Sequence, residues 1–390
     1  MGLGHQIAPM PAAKPILVDG NRLTPIMGGP DRLQALLALI DGAERSLRLL
    51  YYIYSADDSG NRVREALLRA MDRGVKVSLL IDGFGSSQTP ETYFTDLSER
   101  GAKFCRFNPA YGRRYVLRNH QKLALADEER ILIGGFNVED SYFGTVEEGA
   151  WRDIGLLVEG PAAARVAPYY DSLMAWSLKT RSRLKDLRAT VRRFSEHQGP
   201  LQWQYGGPMQ LKSPWALSTV RDLGSCSSLD MIAAYFAPLG GMLRRIAAVS
   251  RRGGVRVITA SKSDNLATID AARSTYSRLL RRGVRLFEYE PTKLHSKLLV
   301  MDDIVHIGSS NFDLRSLYLN MEMMLRVQDQ GFAKAMRGYF DRELKDCIEI
   351  TPALHKARAG WLQRLRWKIG WFLVTSLDYT VTRRLALRIP

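Results

Sequence analysis

The chain repeats itself, and that repeat constrains the fold more than any other feature. Arg73-Gly-Val-Lys-Val-Ser returns as Gly253-Gly-Val-Arg-Val-Ile, 180 residues later. Glu99-Arg-Gly-Ala-Lys-Phe returns as Arg281-Arg-Gly-Val-Arg-Leu, 182 residues later, and His120-Gln-Lys as His295-Ser-Lys, 175 later. The segments keep their order, so the 390 residues carry a duplicated unit. Each copy reads as alternating strands and helices. In the first, bulky apolar runs predict strands over 46–54, 75–81 and 103–107, and helical spacing predicts helices over 61–72 and 91–100. The second repeats this with strands over 229–236, 255–260 and 284–289 and helices over 241–251 and 266–281. Such alternation implies an α/β sandwich in each half, with a largely parallel or mixed sheet. The organisation expected is a first half over 1–200, a second over 201–350 and a tail over 351–390. Residues 182–212, basic and then rich in Gly and Pro, read as the linker.

The repeat carries its chemistry at matching points. His120-x-Lys122-x-x-x-x-Asp127 stands in the first half (motif region 114–141) and His295-x-Lys297-x-x-x-x-Asp302 in the second (289–316). Two residues apart on a strand, a His and a Lys point to one face. If the halves pack face to face, two imidazoles and two ammonium groups converge. The lysines, with Asn137, Ser309 and Asn311, would hold phosphate oxygens. One imidazole would attack phosphorus while the other protonates the leaving oxygen. Charge stabilisation would come from protein cations, with no metal and no cofactor. Asp127 and Asp302 fall past the strand, at turns; they are grouped with the catalytic residues His120, Lys122, His295 and Lys297 and read as hydrogen-bonding supports of the site.

The paired motifs resemble those of the phospholipase D superfamily, whose hallmark is two HxKxxxxD motifs in a duplicated fold. The flanks are similar to bacterial cardiolipin synthases, of a shorter type without N-terminal transmembrane helices. They include Arg118-Asn119-His120, Gly134-Gly135-Phe136-Asn137 and Trp151-Arg152-Asp153 in the first half. In the second they are Gly308-Ser309-x-Asn311-x-Asp313-x-Arg315-Ser316 and Asn320-x-Glu322. The resemblance implies two pseudo-symmetric α/β/α sandwich halves with the active site at their interface. It also implies a phosphatidyl-histidine intermediate. His120 is expected to be the nucleophile and His295 the general acid and base, although the pseudo-symmetry leaves the reverse open. Asp153 and Glu322 occupy matching places and are read as the carboxylates that orient the imidazoles. The other histidines, His5, His197, His306 and His355, are expected to be without such partners.

The chain has 56 Lys and Arg against 40 Asp and Glu, a net charge of +16. Arg richness suits an anionic partner but does not separate nucleic acid from anionic lipid. The tail and the synthase-like flanks favour lipid: Trp361, Trp367 and Trp371 lie among Arg364, Arg366 and Lys368, as at a membrane interface, the alternative being a helix packed on the domain or a dimer contact. On a helical wheel Trp361, Leu362, Leu365, Ile369, Phe372 and Leu373 form one apolar side, and the opposite side, with Trp367, Trp371 and Val374, is not cleanly polar. No apolar run reaches the ~20 residues that span a bilayer, and the N-terminus does not read as a signal peptide. Three widely spaced cysteines, Cys105, Cys226 and Cys347, suit a reducing compartment. The expectation is a peripheral phosphatidyltransferase on the cytoplasmic face of a bacterial inner membrane. It would make cardiolipin and glycerol from phosphatidylglycerol, acting on anionic phospholipid and not on nucleic acid. The alternatives are a phospholipase D or nuclease-type phosphodiesterase, and a non-catalytic scaffold that binds anionic lipid.

Overall fold

The structure, a computed structural model, describes residues 14–108, 117–209 and 212–374. The N-terminal stretch with His5, the start of the 114–141 motif region and the tail beyond Val374 lie outside the described residues.

Two eight-stranded sheets carry the duplication. Seven strands of each run in matching order. In the first sheet these are Lys103–Phe107, Lys76–Asp82, Ser46–Tyr51, Leu123–Ala126, Arg130–Gly134, Gly155–Glu159 and Asn21–Ile26. In the second they are Arg285–Tyr289, Val255–Ala260, Leu229–Ala233, Lys297–Met301, Ile304–Gly308, Glu322–Gln328 and Leu201–Gly206. The first three strands of each series are parallel and joined by helices, and the later ones pair antiparallel. Parallel strands need crossovers, which is why the helical segments Asp58–Asp72 and Gly240–Val249 lie between them. Ile16–Val18 and Cys347–Glu349 extend opposite ends of the two series.

Three apolar clusters hold the layers. One lies under the outer helices of the first sheet and one under those of the second. The third spans both: Leu123, Leu125, Ile131 and Ile133 share a core with Leu298, Val300, Val305 and Ile307, with Tyr169 and Phe340 from helices between the sheets. The two halves therefore meet through a continuous apolar layer, which fixes their relative position with the close packing of any protein interior.

Two expectations are corrected. The stretch 182–212 is not a plain linker, since it contains the helix Leu184–Phe194 and the strand Leu201–Gly206. Leu184, Leu187 and Val191 recur at helical spacing and are buried, and Arg188 is buried with them and donates to the Pro208 carbonyl, while Lys185, Arg192 and Arg193 face out and give the segment its polar look. In the strand, Gln202 and Gln204 alternate with Leu201, Trp203 and Tyr205, and the glutamines are themselves buried. The 229–236 strand ends at Ala233; Phe236–Ala237 is a separate short strand paired with Phe312–Asp313.

Candidate active site

The two motifs meet where the halves touch, through a reciprocal backbone exchange. Asn119 bridges Met321 and Arg152 bridges Leu294, both in parallel sense. The amide of His120 donates to the Met321 carbonyl at 2.9 Å, and that of His295 to the Arg152 carbonyl at 2.7 Å. Each histidine is thus pinned to the other half, one residue from that half's carboxylate. The consequence is a crossed pairing. Nδ1 of His295 lies 2.7 Å from Asp153, and Nδ1 of His120 lies 3.1 and 3.2 Å from the two oxygens of Glu322. A carboxylate on Nδ1 places the proton there and leaves Nε2 with its lone pair toward the cavity. That tautomer is inferred from the hydrogen bonding.

Both carboxylates are buried and held in turn. Asp153 also accepts from the Ile154 amide at 2.8 Å, and Gly135 lies so close that a β-carbon there would meet its carboxylate oxygens at 2.6 and 2.8 Å. The Ser309 hydroxyl donates to Glu322 at 2.5 Å, so Ser309 supports the carboxylate instead of lining the cavity. Lys122 and Lys297 are buried, and each ammonium donates to the carbonyl of the histidine two residues before it.

A cavity of about 390 Å³ opens over both imidazoles, with Asn137 and Asn311 in its wall. Asn311 Oδ1 is buried without a hydrogen-bond partner, so its amide is positioned to meet a polar guest. Tyr52, Arg118, Trp151 and Arg315 also line the cavity and were not among the expected site residues. Trp151 and Tyr142 stand edge-on to the His295 ring, each at 5.1 Å, and Tyr52 lies 5.0 Å from His120. The fully buried Arg32 donates to the carbonyls of Asp153 and Tyr142. No local sequence pattern marks its link to the site, because those two carbonyls lie more than a hundred residues away.

Asp127 and Asp302 do not join this constellation. Both sit at hairpin turns with positive φ, 56° and 47°, a conformation Asp tolerates better than most residues. Asp127 accepts from the amides of Glu44, Arg45 and Ser46, and Asp302 from those of Ser227 and Ser228. The spacing from Lys to Asp is the length of the strand, and the Asp fastens its end to the start of the neighbouring strand. This corrects their grouping with the catalytic residues. His306, expected to be without a carboxylate partner, is buried 2.8 Å from Asp222, which also receives Arg326 at 2.8 Å. None of these three lines the cavity over His120 and His295. His355 contacts Ser277 at 2.8 Å, a hydroxyl and not a carboxylate.

Burial dominates the electrostatics. It lowers both imidazoles, His295 to about 3 and His120 well below the usual range, and the two lysines push the same way. Burial brings Lys297 down to about 8 against the pull of Asp153 and Glu322, and lowers Lys122 well below its usual value. It also pushes Glu322 up to about 8, opposed by Lys122. Asp153 remains below the ordinary range, because His295 and Lys297 outweigh the cost of burial. Burial therefore favours neutral imidazoles, and an anion bound beside them would favour the charged forms of the histidines and lysines. Among the described residues, no group of three or more His, Cys, Asp or Glu is placed to hold a metal ion.

The profile of the family described as "Cardiolipin synthase, PLD-like domain" matches residues 36–168 and 220–344. The cardiolipin synthase of Listeria monocytogenes serotype 4a is 28% identical over 364 residues, covering 89% of this chain and 74% of the relative. Cardiolipin synthase 1 of Staphylococcus aureus is 27% identical over 357 residues, covering 88% and 71%. Among solved structures, phosphatidylserine synthase of Haemophilus influenzae Rd KW20 superposes with a TM-score of 0.70 at 13% identity, covering 93% of this chain and 95% of that one. Polyphosphate kinase of Porphyromonas gingivalis reaches 0.58 at 14% identity, covering 90% and 54%. These two likenesses carry the fold and nothing further.

Proposed function

The chain belongs to the cardiolipin synthase, phospholipase D-like domain family and is an enzyme of phosphatidyl transfer; from that premise we propose that it makes cardiolipin and glycerol from two molecules of phosphatidylglycerol. The observation that carries the reading is the pair of imidazoles, His295 buried and His120 half-buried, each oriented by a carboxylate of the opposite half, over one cavity beside two buried lysines.

In the first step Nε2 of His120 attacks phosphorus. A P–N bond forms, the P–O bond to the departing glycerol breaks, and His295, protonated once the anion is bound, gives that oxygen its proton. In the second step His295 takes the proton from a free hydroxyl of another phosphatidylglycerol. That oxygen attacks phosphorus, the P–N bond breaks, and His120 is restored. Lys122 and Lys297 offset the charge that builds on the phosphoryl oxygens. The more accessible ring, His120 with 13% of its side chain exposed against 4% for His295, favours it as nucleophile. The shorter contact of His295 with an ionised Asp153 favours the reversed assignment as a second reading. We place the enzyme at the cytoplasmic face of a bacterial inner membrane, a setting that suits the free thiols of Cys105, Cys226 and Cys347. Within this scheme the halves divide at 200/201 and the tail begins at 351.

The sign of the pH dependence follows. Lys297 is charged below about 8 and neutral above it. That change removes positive charge where the phosphodiester binds, so kcat/KM should fall as pH rises through about 8. A profile on dispersed phosphatidylglycerol that stays flat from about pH 7 to about pH 9 contradicts this.

Separation of the lipid products of the purified chain tests the function itself. Cardiolipin with equimolar glycerol is expected. Phosphatidic acid alone would make the chain a hydrolase, and no product from any phospholipid would make it a lipid-binding scaffold.

A further inference from the structure

The helix Trp361–Phe372 lies against the helix Leu266–Leu280, and its packing is one-sided. Trp367 is buried and stacks on His355, Gly370 lies against Asp270 and the Ala267 carbonyl, and Arg366 pairs with Asp270 at 3.0 Å. These contacts occupy the side of the helix that the sequence leaves ambiguous. The opposite side carries Trp361, Leu362, Leu365, Ile369, Phe372 and Leu373, which are 44 to 75% exposed. Six large apolar side chains facing outward along one short helix are not needed for its packing, and such a patch marks an interaction surface.

Two further features say what covers it. Along one edge of the apolar face, Arg364 and Lys368 line a cleft of about 430 Å³ together with Arg281 and Lys356, and no acidic residue is in its wall. Among the described residues none of these four cations has an ion-pair partner, whereas the neighbouring Arg273 is committed to Glu288. At the other end of the helix, Val374 lines the cavity over His120 and His295, and the exposed Phe84 is in the same wall. An apolar face bordered by unpaired cations is the arrangement of a helix that lies in a membrane interface, with side chains among the acyl chains and cations at headgroup level.

We propose that this helix face is a docking surface for an anionic phospholipid bilayer, that the cleft of Arg281, Lys356, Arg364 and Lys368 seats a lipid phosphate headgroup, and that docking sets the mouth of the catalytic cavity on the lipid surface. The proposal rests on the phospholipid reading of the active site and adds a second lipid site separate from it. A helix of twelve residues is about 18 Å long, enough to join the cleft to the cavity mouth.

Flotation of the full chain with vesicles tests this. The chain should float with phosphatidylcholine vesicles that contain phosphatidylglycerol and hardly at all with pure phosphatidylcholine, and high salt should weaken the binding. Each basic residue near an anionic surface contributes about a fivefold factor, so Arg364→Gln with Lys368→Gln should weaken binding about 25-fold. Leu365→Glu with Ile369→Glu should abolish flotation, and native circular dichroism is expected because both positions are exposed. Wild-type flotation by either double variant overturns the corresponding half of the proposal. Equal binding of wild type to neutral and anionic vesicles overturns the headgroup site. A dimer in solution that Leu365→Glu with Ile369→Glu dissociates, without vesicle binding by wild type, would make the face a contact between copies. Flotation needs no turnover, so a chain that floats but forms no cardiolipin supports this surface while the transferase reading fails.

Discussion

His120→Ala and His295→Ala each reduce kcat by roughly 10⁴-fold or more, with the fold retained. In the proposed mechanism the first removes the group that bonds to phosphorus and the second removes the proton donor to the leaving oxygen. Neither can stand in for the other, because both are used in each half-reaction. The remaining activity would come from the lysines and from substrate placement alone. The fold should survive because the histidine rings meet the cavity and not the shared apolar core. Glu322 and Asp153 remain beside Lys122 and Lys297, so neither carboxylate is left buried without a cation. Circular dichroism and thermal melting check the fold, and labelled phosphatidylglycerol checks turnover. Near-wild-type activity in either variant contradicts the paired-histidine site.

Asp153→Asn reduces kcat by about 10²- to 10⁴-fold, and the loss belongs to His295 of the other half. The carboxylate accepts the proton on Nδ1 and so fixes the tautomer that leaves Nε2 available. An amide presents its NH₂ as readily as its oxygen, and the imidazole can then settle in the wrong tautomer. Asp153 also steadies the imidazolium that forms during proton transfer. Residues that act as one unit are non-additive. Asp153→Asn combined with His295→Ala should therefore be scarcely slower than His295→Ala alone. The same substitution combined with Glu322→Gln should be slower than either, since the two carboxylates serve different rings. Full additivity between Asp153 and His295 would show that their contact does not matter to turnover.

The sequence makes the duplicated fold legible because bulky strands and glycine-ended helices recur in order, and strand Val255–Ala260 is read with its observed bounds. The convergence of His120, Lys122, His295 and Lys297 is legible for a chemical reason: rare polar residues flanking an apolar strand twice over have few structural explanations. What it hides is tertiary. Asp153 and Glu322 can be picked out by their matching places, but that each serves the opposite half depends on the backbone bridges at Asn119 and Arg152. The partnership of His306 with Asp222 and Arg326 joins residues from three separate elements, and Arg32 reaches the site from the first helix. Leu184–Phe194 reads as a linker because its basic residues mask a narrow apolar stripe. In the tail, periodicity finds the apolar face but not which side packs, since Trp367 and Gly370 give no local sign of their neighbour.

The most direct measurement of the central claim is to find where the phosphatidyl group rests between the two steps. The purified chain is mixed with phosphatidylglycerol labelled at phosphorus, quenched in alkali, where phosphohistidine persists, and its peptides are mapped. The account predicts label on the peptide that contains His120, absent from His120→Ala and discharged when unlabelled phosphatidylglycerol is added before the quench. Label on the His295 peptide would reverse the two roles while keeping the site. Label on neither, in a chain that still turns over, would contradict covalent transfer through the paired histidines.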